Sequence, residues 1–115
     1  MSTVSETAGT VVWYELPADD TARAQEFYSG LFGWQFERWP GPTEYHVNGM
    51  GAIKPANETK GALVYFGTDD IDSSAARVRE LGGSAADVQE IPGTGRFAEC
   101  VDTEGNAFAL YQASA

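Results

Sequence analysis

Residues 19–33 read DDTARAQEFYSGLFG, and fifty positions later residues 69–83 read DDIDSSAARVRELGG. Each stretch opens on two aspartates. Asp20 and Asp70 stand where a side-chain oxygen can accept from the unpaired N–H groups of a first helical turn. Each closes on a leucine followed by glycine, Leu31 before Gly33 and Leu81 before Gly83, a usual helix stop. In the first copy Ala24, Phe27, Tyr28 and Leu31 recur at helical spacing, which predicts a helix from about residue 21 to 31 with that stripe against a core. The second copy predicts a helix over residues 71–81. The matches fall at the cap, the last core contact and the stop of both copies, so they read as an internal duplication.

Outward from these helices the chain reads as strands. Residues 11–16, VVWYEL, are β-branched and aromatic, and Pro17 is expected to end that strand. Strand-like stretches follow at 34–38, 43–47 and 51–55, with turns at Gly41-Pro42 and Asn48-Gly49. The second copy has strands at 61–66, 85–91, 96–101 and 106–112, with turns at Pro92-Gly93 and Glu104-Gly105-Asn106. The expected fold class is α+β: tandem βαβββ modules at about 10–55 and 61–113, forming a curved mixed sheet with helices on the outside. They make a single domain over 10–113, since halves this small bury too little to stand alone. Residues 1–9 read as a disordered tail with no secretory signal, and residues 56–60 as the linker.

Composition narrows the function. Hydrophobic residues make up 43% of the 115-residue chain, yet no run approaches the ~20 residues that span a bilayer. A formal charge of −10 argues against nucleic acid and anionic membranes, which demand basic surface. Acidic surface maintains solubility or draws in a cationic ligand. The single cysteine, Cys100, leaves no intramolecular disulfide and no multi-thiolate metal site, which fits a cytoplasmic protein. It alternates with cavity positions and reads as a small core residue. The Asn57-Glu58-Thr59 sequon carries no weight without a secretory route. Gly49-Met50-Gly51 opens a strand and not a helix, so it is no dinucleotide loop. His46, the only histidine, has no evident catalytic or ligand partners and reads as a surface or structural side chain.

The motifs Asp20-x6-Phe27-Tyr28-x3-Phe32-Gly33-Trp34, Tyr65-Phe66-x2-Asp69-Asp70-Ile71, Leu81-Gly82-Gly83 and Gly95-Arg96-Phe97-x4-Asp102-x-Glu104-Gly105-Asn106 occur in one order over residues 10–113. This pattern resembles the vicinal oxygen chelate superfamily, which includes glyoxalase I, bleomycin-resistance proteins, fosfomycin-resistance enzymes and extradiol dioxygenases. The resemblance implies a metal site, and its ligand positions fall on Trp13, Leu63 and Ala109, while residues 51–55 hold no acid. None of these side chains ligates a divalent cation. No metal and no cofactor is therefore expected.

Alternation along the strands groups the remaining side chains. The resemblance turns Trp13, Glu15, Leu63, Tyr65, Phe97, Glu99, Ala109 and Tyr111 toward the concave side, leaving Val12, Tyr14 and Leu16 on the helix. An aromatic and aliphatic surface with two carboxylates suits a small organic molecule. Glu15 and Glu99 are the candidate ligand or catalytic acids, and they are equally able to form structural ion pairs with Arg38, Arg96 or Lys54. Trp13 is either a stacking wall or a core aromatic. Trp34 and Trp39 are expected to pack and not to act as lids. Three functions fit: metal-independent binding of a cationic or aromatic compound, as in the bleomycin-resistance branch; an isomerase, lyase or hydrolase with Glu15 or Glu99 as general base; and a structural module with a vestigial cavity. The resemblance also implies a homodimer.

Overall fold

The structure is a computed structural model, described here for residues 8–56 and 61–114. The sequon and most of the expected linker lie outside the described residues, as does most of the expected tail. Its end does not: Gly9 N–H bonds the Gly67 carbonyl at 3.0 Å and Gly67 N–H bonds Thr10 at 2.9 Å. The chain divides into two compact units, Trp13–Leu63 and the rest of the described chain.

The first unit takes most of β1 (Val11–Ala18), then α1 (Thr21–Phe32), β2 (Glu37–Arg38), β3 (His46–Val47) and β4 (Gly51–Pro55). Its strand order is β2-β3-β4-β1, with β4 parallel to β1 and antiparallel to β3. The second unit holds all but the first residue of β5 (Leu63–Gly67), then α2 (Ile71–Glu80), β6 (Ser84–Ala85), β7 (Gln89–Ile91), β8 (Gly95–Val101) and β9 (Ala107–Ala113). There the order is β5-β9-β8-β6, with β7 also on β8.

Both helices start where the aspartates predict. Asp20 accepts from Arg23 N–H at 3.0 Å and Asp70 from Ser73 N–H at 3.1 Å. Their ends differ. Gly33 adopts the left-handed conformation (φ 74°) that ends α1, whereas in the second copy it is Gly82 that turns left-handed (φ 100°). Gly83 serves close packing instead, since a Cβ there would lie 2.5 Å from the Val101 carbonyl.

Three other expectations are corrected. Pro17 does not end β1, which pairs through Pro17↔Lys54 and Ala18↔Pro55. Proline's fixed φ suits an extended chain, and the Ala18 carbonyl goes on to accept from Ala56 N–H at 2.9 Å. The single strand expected over 85–91 is two. Four steps from Ala85 to Gln89 oppose three from Cys100 to Phe97, so one residue is extra and the ladder bulges. Phe27 and Leu31 do not face a core: they are 62% and 58% exposed. The half-buried stripe of α1 is Thr21, Ala24, Gln25, Tyr28 and Ser29, an i, i+3, i+4, i+7, i+8 set that leaves positions 27 and 31 on the flank.

In the second unit α2 lies over Ala98, Cys100 and Leu110, and its Ile71 is fully buried in that core. Burial pushes the Cys100 thiol pKa up, in keeping with a core residue.

Candidate functional site

In the first unit β1 separates two environments. Tyr14, on the helix side, lies over Gly51, where a Cβ would come within 2.5 Å of its ring. Trp34 joins Tyr14, Tyr28, Phe32 and Phe36 in one aromatic cluster, with centroids 5.2–6.3 Å from its own. Trp34 therefore packs, as expected. On the same side His46 Nε2 meets Glu44 Oε2 at 2.8 Å, and Thr21 Oγ1 donates to the same carboxylate oxygen. His46 thus helps tie the first residue of α1 to the sheet.

The opposite side holds a polar quartet. Trp13 Nε1–H donates to Tyr45 Oη at 2.8 Å. The Tyr45 hydroxyl donates in turn to Glu15 Oε2 at 2.6 Å. The Lys54 ammonium stands 3.3 Å from Glu15 Oε1. Register explains the assembly: Val47 lies against Ala52 and Ala52 against Glu15, so the alternation that places Trp13 and Glu15 on one face places Tyr45 and Lys54 there too. Glu15 is 6% exposed. Burial pushes the Tyr45 phenol pKa far up, and the hydrogen bond to Glu15 and its charge push the same way. Tyr45 is therefore a neutral donor throughout the physiological range.

The expected site residues fall into two groups, one per unit. Trp13 and Glu15 are joined through Tyr45, and of the ion pairs considered for Glu15 the structure forms the one with Lys54. Leu63, at the end of the first unit, is buried. In the second unit Tyr65 lies opposite Ala109, Glu99 opposite Ala109 and Phe97 opposite Tyr111, so these five share one face, away from α2. Tyr65 and Phe97 are in ring contact at 6.5 Å. Tyr111 donates its hydroxyl to Thr94 O at 2.9 Å and lies over Gly95. Glu99 is exposed, and Arg96, one of its expected partners, pairs with Asp72 at 3.1 Å instead. A polar cleft of about 280 Å³ in this unit is lined by Glu90, Arg96 and Gln112 among others. It involves none of the expected residues.

Tyr45 is the residue that sequence reasoning missed. The available signal was its two-residue spacing from Val47, but its nearness to Glu15 depends on the β3–β4–β1 register, which no local pattern reveals.

The positions that would hold a metal carry an indole, an isobutyl and a methyl group, with Leu63 and Ala109 buried. No cluster of three ligating side chains occurs among the described residues. The residues present do not fit a metal.

Solved structures identify the fold. A Streptomyces coelicolor methylmalonyl-CoA epimerase variant in complex with 2-nitronate-propionyl-CoA matches with a TM-score of 0.72 at 16% identity, over 94% of this chain and 99% of that one. A Bacillus halodurans hypothetical protein matches at 0.70 and 11%, over 93% and 96%. The chain thus has the glyoxalase/bleomycin-resistance-like α+β fold. The bleomycin resistance protein-like N-terminal family model matches residues 10–46. A glyoxylase-like domain-containing protein of Didymella fabae is 30% identical over 89% of this chain and 92% of its own length. The chain belongs to the vicinal oxygen chelate superfamily, among its glyoxylase-like members. It is also 30% identical, over 90% of its length, to the anthracycline biosynthesis protein DnrV of Streptomyces peucetius, and it spans about half that relative's length, 47%.

Proposed function

We propose that the chain is a metal-independent small-molecule-binding protein that takes a planar aromatic compound against the Trp13–Tyr45–Glu15 face, in the cytoplasm and as a homodimer. The observation that carries this reading is the state of Trp13. Its N–H is pinned by Tyr45, yet no aromatic ring of the described residues stacks on its indole, whereas Trp34 is in contact with four. A fixed, half-buried indole of this kind is a platform for a ligand ring. The similarity to an anthracycline biosynthesis protein agrees with a planar ligand. The general-base alternative has weaker support, because Glu15 is engaged by both Tyr45 and Lys54 and Glu99 is exposed.

Calorimetric titration with 2-methylnaphthalene tests the reading. Saturable binding is expected, weakened about threefold to tenfold in Trp13→Leu. Equal binding by the two proteins would refute the assignment, and so would a lack of binding by both. Stoichiometric metal that survives chelator dialysis would refute metal independence.

A further inference from the structure

We infer that the charged group meeting the ligand is Lys54, so the compound bound against Trp13 carries an anionic oxygen, a carboxylate or an enolate. This inference rests on the reading that a ligand lies on the Trp13 face, and it reverses the polarity that a buried acid suggests at first sight.

The two ends of the ion pair differ in exposure, and the cation is the end that faces outward. Glu15 has an 8% exposed side chain, while that of Lys54 is 26% exposed. One carboxylate oxygen accepts the Tyr45 proton at 2.6 Å and the other faces the ammonium at 3.3 Å. The acid is therefore already neutralised, and a cationic ligand would have to displace Lys54 to reach it. The ammonium is placed differently. It has three donors, and one carboxylate oxygen at 3.3 Å leaves it the capacity to bind another acceptor. Its own counterion lies deep in the sheet face, held by Tyr45, so Glu15 positions Lys54 and limits the cost of its desolvation. Tyr45 thereby fixes both halves of the site, the indole through its lone pair and the cation through Glu15. The chain's charge of −10 does not weigh against an anion at this range. Its diffuse field is screened over about 8 Å at physiological salt, whereas the contact with Lys54 is a hydrogen bond.

Three probes with one ring system separate the possibilities: 2-naphthoate, 2-naphthylmethylammonium and neutral 2-methylnaphthalene, titrated calorimetrically into the full chain. Naphthoate is expected to bind about tenfold to a hundredfold tighter than the ammonium probe. Lys54→Gln should lower the ratio of naphthoate to methylnaphthalene affinity by about tenfold or more, and Lys54→Arg should restore it. Thermal melts followed by circular dichroism show whether each variant is folded. Tighter binding of the ammonium probe, or an unchanged ratio in Lys54→Gln, would overturn the inference while leaving the aromatic site standing. Failure of the neutral probe to bind would overturn the underlying reading and this inference with it.

Discussion

Tyr45 has one hydroxyl proton and gives it to Glu15, so the Trp13 indole N–H meets the lone pair that remains. Removing that oxygen leaves a donor and an acceptor short of a partner at once. Tyr45→Phe is accordingly expected to cost about 1–3 kcal/mol, measured as a shift in the denaturation midpoint. The same residue governs the alkaline limit. Burial, then the Glu15 bond, raise the folded-state pKa of the phenol above the unfolded value of about 10. Above pH ~10 the unfolded chain therefore loses a proton that the folded chain keeps. The stabilisation is complete below that pH and falls away as the pH rises beyond it. Melting temperatures from pH 8 to pH 11 should drop less steeply in Tyr45→Phe than in the wild type. Parallel curves would mean that the phenol ionises freely in the fold.

Secondary structure was legible wherever a local rule governs it. Asp20 and Asp70 cap their helices because capping needs only the next three residues, and β4 has the expected bounds. Three failures involve partners distant in the chain. Pro17 continues a strand because β4 runs beside it. The bulge between β6 and β7 exists because β8 has one residue fewer. Tyr45 reaches Glu15 through a register set by three strands. The duplication itself misleads at one point, and that point is testable. Gly33 and Gly83 align in sequence, but Gly33→Ala meets open space and strains only φ, which costs on the order of 1 kcal/mol. Gly83→Ala puts a methyl group 2.5 Å from the Val101 carbonyl, and backbone cannot step aside as a side chain can. The expected loss is about 1–3 kcal/mol and the larger of the two. Urea denaturation of the two variants measures the order, and a reversed order would contradict the packing described for Gly83.

At the scale of the whole molecule the two helices differ in a way that bears on assembly. The α2 helix buries Ile71 and Ala75 and carries Arg77, Arg79 and Glu80 toward its end. The α1 helix buries no residue fully and leaves Phe27, Leu31 and Phe32 each more than half exposed. Large apolar side chains grouped on one helix flank mark a surface that another protein surface covers. For the proposed homodimer that surface is covered by a second copy. Each copy brings a charge of −10, so electrostatics opposes the pairing while apolar burial drives it. Salt screens the first and spares the second. Light scattering should therefore give twice the chain mass at micromolar concentration and 150 mM salt, with dissociation favoured at 10 mM. Leu31→Glu, which sets a carboxylate in the middle of the patch, should yield a folded monomer at both salts. A wild-type chain that stays monomeric at 150 mM, or a Leu31→Glu dimer as tight as the wild type, would remove α1 from the interface.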